Sequence, residues 1–148
     1  MNSERTGVNV SALLAPALGL KVAKARLGIG SALLFDLDSA DRWSALLTCD
    51  WRLETCAAML AGSDDGLAAL RETAAALTGR TLREVTVADG LPDVIFEFDD
   101  GLRLRTLATV RDDDAEHWLV FMPEGRVLVA GPGSALAVRA SGTERGDD

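Results

Sequence analysis

His117 is the only histidine in the chain, next to Glu116 and three residues after the run Asp112-Asp113-Asp114. Any Ser–His–Asp or Cys–His device would have to use it. It reads as a general base or pH-sensitive contact, or more plainly as a loop histidine held by nearby carboxylates. The plainer reading is adopted. The loop from Asp112 to Glu116 offers hard oxygen ligands, but it lacks the spaced acids, central glycine and terminal glutamate of a calcium loop. No metal site is expected there. Asp36/Asp38 and Glu97/Asp99 are carboxylate pairs of the kind used in sugar hydrolysis, and such pairs mean little without geometry. No catalytic residue and no cofactor is assigned.

Cys49 and Cys56 are the two cysteines. On one continuous strand they have opposite parity, so a disulfide is not expected, and reduced thiols point to the cytoplasm. With a single histidine, soft ligands are too few for a zinc site. Gly28-Ile29-Gly30-Ser31 could cradle a phosphate, but neither the Gly-Lys-Ser/Thr ending nor the third dinucleotide glycine follows. It reads as a hairpin turn.

Two sets of residues remain as binding candidates. Trp43, Trp51, Phe96, His117 and Trp118 would line an aromatic pocket if the sheet curves around one. Asp36, Asp38, Asp112, Asp113 and Asp114 would form an acidic contact for a basic partner.

The elements that must hold these residues follow from periodicity. Trp43 to Glu54 alternates as a strand, with Trp43, Ala45, Leu47, Cys49, Trp51 and Leu53 on one face. Lys21–Leu27 and Ser31–Asp38 form a hairpin. Ser63-Asp64-Asp65 opens a helix that ends at Gly79, with Leu67, Leu70, Ala74 and Leu77 on one stripe. Ser11 caps a short N-terminal helix over Ala12 to Leu18, with Pro16 awkward inside it. Thr81–Ala88 returns as a strand, and Ala135–Val138 adds an edge.

From Val94 to Ala130 two hairpins follow one another, and a four-strand meander is expected. In the first, a three-residue loop Asp99-Asp100-Gly101 puts Phe98 opposite Leu102, Phe96 opposite Leu104 and Glu97 opposite Arg103. A one-residue slip would mix polar and apolar side chains on both faces. In the second, Trp118, Val120, Met122, Val127 and Val129 are placed on one face and Leu119, Phe121 and Leu128 on the other. Both faces are apolar, so both should be covered. The main helix is the expected cover on one side, and a homodimer through the Leu119/Phe121/Leu128 face is the other expectation.

Three segments, Cys49-Asp-Trp-Arg-Leu53, Phe96-Glu-Phe-Asp-Asp-Gly-Leu-Arg-Leu104 and Asp113-Asp-Ala-Glu-His-Trp-Leu-Val-Phe-Met-Pro-Glu-Gly-Arg-Val-Leu128, resemble those of a group of small bacterial proteins of unknown function. The likeness runs between Leu13 and Val129. It implies a strand-rich first half, one helix and the meander, and it brings no catalytic residues.

The 148 residues suit one α+β domain over residues 10–139, with disordered tails at 1–9 and 140–148. The expected architecture is a large, twisted, mostly antiparallel sheet of about eight strands, curled toward a half-barrel, with one main helix near residues 65–78. The net charge of −8 argues against nucleic acid. No apolar run is long enough for a membrane helix, and the first residues lack the positive excess of a signal peptide. The leading functional expectation is a non-enzymatic interaction protein, an immunity-type protein for a basic partner by analogy. The alternative is a small-ligand-binding protein or minor enzyme with the aromatic-lined pocket.

Overall fold

The structure is a computed structural model and describes residues 9–87, 92–108, 116–131 and 135–140. Of the expected tails at 1–9 and 140–148, residues 1–8 and 141–148 lie outside these residues, while Asn9 caps the first helix and Ala140 ends the last strand. Helix α1 (Val10–Leu14) starts the described chain. Its cap is Asn9, whose Oδ1 accepts the Ala12 amide at 3.0 Å, rather than the expected Ser11. A 3-10 turn, Ala15–Ala17, follows with Pro16 in its first positions, where a missing N–H leaves no bond unmade. The proline thus ends α1 instead of kinking it.

Strands β1 (Val22–Leu27), β2 (Leu33–Leu37), β3 (Ser44–Leu47), β4 (Asp50–Glu54) and β5 (Met59–Gly62) lead to helix α2 (Leu67–Leu77). Strands β6 (Leu82–Val87), β7 (Val94–Phe98), β8 (Arg103–Leu107), β9 (Trp118–Met122), β10 (Arg126–Ala130) and β11 (Leu136–Ala140) complete the order. The α+β class and the single main helix are as expected. The strands, however, form two antiparallel sheets that do not close into a barrel. One sheet runs β1-β2-β3-β9-β10-β11 and the other β5-β4-β8-β7-β6.

The split falls where the sequence reads as one strand. Trp43 to Glu54 bends at Thr48 and Cys49, so that β3 belongs to the first sheet and β4 to the second. The amides of Thr48 and Cys49 both donate to the His117 carbonyl, at 2.9 and 3.1 Å, which satisfies the backbone at the corner. The opposite corner is stitched by residues 19–22 against 79–82, with Gly19 N donating to Leu82 O at 2.7 Å and Leu82 N to Leu20 O at 2.8 Å. The expected four-strand meander is divided too: β7 and β8 lie in the second sheet, β9 and β10 in the first.

The first hairpin has the expected register, with Phe96 opposite Leu104 and Glu97 opposite Arg103. Its loop holds Asp100 at φ +61° and Gly101 at φ +75°. The second hairpin uses the same device, Pro123-Glu124-Gly125, with Glu124 at φ +68° and Gly125 at φ +71°. Three loop residues put Val127 opposite Phe121 and Leu128 opposite Val120. The expected grouping of its faces is therefore corrected. Leu128 points into the core with Trp118, Val120 and Met122, while Leu119, Phe121, Val127 and Val129 share the outer face.

Helix α2 begins later than expected. Its N-cap is Gly66, and Ser63-Asp64-Asp65 forms a turn in which Asp65 Oδ2 accepts the Gly62 amide at 2.8 Å. Leu70, Thr73 and Leu77 are its buried residues, and Leu67 is exposed. The helix packs on β1 and touches β5, so it does not cover β9 and β10. Between the sheets, Phe35 of β2 meets Phe96 and Phe98 of β7 edge-on, with centroids 5.3 and 5.9 Å apart.

Candidate functional site

The loop between β2 and β3 and the hairpin between β9 and β10 stand side by side at one end of the first sheet. Between them lies a cleft of about 780 Å³, lined by Ala40, Asp41, Arg42 and the run from Phe121 to Arg126. A second hollow of about 390 Å³ shares Ala40, Asp41 and Arg42 and continues to Arg26, Asp36 and Ser44. The left-handed Glu124 and Gly125 close the hairpin in three residues, and its tip lines the cleft opposite the β2–β3 loop.

Phe121 forms the apolar floor. The Arg42 guanidinium lies 5.5 Å from its ring centroid, a cation–π contact. Asp41 and Glu124 are exposed on the rim, and Arg126 is exposed beside them. Deeper in, Ser44 Oγ donates to Asp36 Oδ1 at 2.6 Å and Arg26 Nη1 donates to Asp36 Oδ2 at 3.0 Å. Asp36 is thus tied down by two donors. Asp38, two residues on, is exposed, and Asp112, Asp113 and Asp114 lie outside the described residues.

Ser44 and Asp36 do not gain His117 as a third partner. Ser44 pairs with Phe121 across β3 and β9, four residues beyond His117. At about 3.3 Å per residue that is roughly 13 Å along the strand. His117 is buried at the sheet corner, where its amide donates to Ala130 O at 2.7 Å. The neighbouring Cys49 thiol is held in its protonated form. Burial pushes its thiol from 9.0 up to about 12, with the Asp93 and Asp50 carboxylates adding in the same direction. Both cysteines are free thiols, Cys49 half-buried and Cys56 exposed.

The aromatic residues singled out from the sequence are not brought to one opening. Trp51 and Trp118 are fully buried, and Trp43 and Phe96 nearly so. Trp51 Nε1 donates to Ser31 O at 2.7 Å and Trp118 Nε1 to Pro92 O at 2.6 Å, which satisfies both indoles. Trp43 and Phe96 line one cavity of about 20 Å³, room for a single water.

On the outer face of the second sheet, Glu54 gathers three arginines. Arg52 Nε lies 2.8 Å from Oε2, and Arg105 Nη2 and Arg103 Nη2 lie 3.1 and 3.6 Å from Oε1. Burial alone would raise the Glu54 pKa. Hydrogen bonds from Arg105 and Arg52, and then their charges, outweigh it and hold the carboxyl below its ordinary value of 4.5. Arg103 thus turns to Glu54 rather than to Glu97, its opposite in the register.

Among the described residues no three His, Cys, Asp or Glu side chains gather as metal ligands, and no helix is long and apolar enough to cross a membrane. The Arg42–Phe121 contact and the Glu54 cluster escaped the sequence reading. A search for period-two pairs of charges on neighbouring strands would have found the second alone. Comparison with protein-family models, curated proteins and solved structures found no match to this chain.

Proposed function

We propose that this protein is a non-enzymatic binding protein that docks a protein partner in the cleft between the β2–β3 loop and the β9–β10 hairpin. The observation that carries this reading is the joining of an apolar floor, Phe121, to the exposed carboxylates of Asp41 and Glu124. A partner with an apolar residue beside basic ones would fill it. Arg42 and Arg126 make the rim mixed in sign, so the local contact selects a charge pattern. The net charge of −8 sets the sign of the long-range field, which attracts a basic partner. Asp38 adds to that field, whereas Asp36 is neutralised by Arg26. An immunity-type role against a basic toxin fits this field by analogy of size and charge.

The second reading is a small ligand in the same cleft, favoured by a volume inside the usual range of ligand pockets. The experiment is capture of partners from a lysate of the source organism on wild-type protein and on the Asp41→Lys/Glu124→Lys double variant. A partner retained by the wild type and lost by the variant supports docking at the cleft. A partner held equally by both removes the cleft from the account.

A further inference from the structure

Three arginines occupy adjacent positions on the outer face of the second sheet. Arg52 and Arg105 stand directly opposite each other across β4 and β8, and Arg103 stands opposite Glu54. Like charges directly opposite on neighbouring strands are destabilising. Glu54 is the one carboxylate that pairs with these guanidiniums among the described residues, while Glu84 and Glu97 on the same face pair with none of them. Glu97, opposite Arg103 in β7, makes no ion pair with it among the described residues.

The donors are in surplus. A guanidinium carries five N–H groups. Among the described residues Arg52 uses only Nε, and Arg105 uses Nε and Nη2, all on Glu54. Among the described residues the Arg103 side chain makes no hydrogen bond. Its Nη2 reaches Glu54 only at ion-pair range, and its Nε is shielded from solvent without a partner. Each of the three side chains keeps about a third of its surface exposed, at 36, 31 and 30%. Each guanidinium therefore keeps unused N–H donors, and the three side chains are neighbours on one face of β4 and β8.

We propose that Arg52, Arg103 and Arg105 form a binding site for a doubly charged tetrahedral oxyanion, with Glu54 holding the three guanidiniums in place. Phosphate suits the site because its several oxygens can each take a guanidinium fork. The anion is either free inorganic phosphate or the phosphoryl end of a larger molecule. This site is on the other sheet from the cleft and does not depend on it.

The test is an NMR titration of the full chain with inorganic phosphate, and in a second arm with phenyl phosphate, both at constant ionic strength against sodium chloride. Saturable shifts are expected at the amides of Arg52, Glu54, Arg103 and Arg105. Tighter binding of the ester would assign the phosphoryl end of a larger molecule, and equal binding the free anion. Arg103→Gln should lower the chloride melting temperature only slightly, since it loses a 3.6 Å ion pair and no side-chain hydrogen bond, and should weaken phosphate by about tenfold. A purely structural cluster does not predict that weakening. The absence of saturable shifts at these four residues, or the same affinity in Arg103→Gln, would overturn the proposal.

Discussion

The rings of Phe35 and Phe96 meet edge to face, 5.3 Å apart at 90°, and join the two sheets through one core. Both side chains are buried. Phe96→Ala should therefore destabilise by about 3–5 kcal/mol, the range for deleting a buried aromatic ring. Phe35→Ala should cost about as much, and the double variant less than the sum, since the pair is lost once. Urea denaturation of the four proteins measures this. Strict additivity would mean that the two rings do not couple the sheets.

The loop of the first hairpin isolates a backbone effect. A Cβ added at Gly101 meets nothing within 4 Å, but φ there is +75°. Gly101→Ala should cost about 1–2 kcal/mol through backbone strain alone. Gly101→Val should cost more, because a branched side chain fits that conformation worse. Thermal melts of the two variants check the order. An unchanged midpoint in Gly101→Val would show that the loop adopts another conformation.

Much of this fold was readable from the residues. The first hairpin sorted itself because only one register separates Phe96, Phe98, Leu102 and Leu104 from Glu97, Arg103 and Arg105. The second did not, because Leu128 and Val127 are equally apolar and the pattern gave no preference between them. Its loop length decided, and Pro123-Glu124-Gly125 could have been compared with Asp99-Asp100-Gly101. The bend at Thr48 was hidden for a different reason. A strand that turns a corner around a core keeps its inner side inward, so Trp43, Ala45 and Leu47 stay in phase with Trp51 and Leu53. The cleft was not legible, since Arg42 and Phe121 are far apart in sequence and meet only through the pairing of β3 with β9.

The Glu54 cluster makes stability depend on acid. Its folded-state pKa lies below the ordinary 4.5, so the stabilisation is fully present above that value. It is lost as pH falls through the folded value, because the unfolded chain then binds the proton more readily. Glu54→Gln should be less stable than wild type at neutral pH, with the gap narrowing below about pH 4.5. Denaturant melts across pH 3–7 give the comparison. A gap that stays constant across this range would contradict the ion-pair account.

The two thiols should differ sharply in reactivity. Cys56 is exposed, whereas burial raises the Cys49 thiol to about 12. At about pH 8 iodoacetamide should modify Cys56 alone, and Cys49 only after unfolding. Above the ordinary thiol range the unfolded chain loses the Cys49 proton first, so stability contributed by the neutral thiol falls as pH rises. Mass spectrometry of the alkylated native protein reads the first claim. Equal labelling of both cysteines would contradict it.

The central claim is that the Phe121 cleft docks a partner that the protein's negative field attracts. Its most direct measurement is the association rate of a captured partner with wild type, Asp41→Lys/Glu124→Lys and Phe121→Ala, at several salt concentrations. Wild type should associate more slowly as salt rises, because screening shortens the field to about 8 Å at physiological ionic strength. The double lysine variant should lose both rate and salt dependence. Phe121→Ala should keep the rate and dissociate faster, since the floor acts only after contact. Rates indifferent to salt and to all three substitutions would contradict the account.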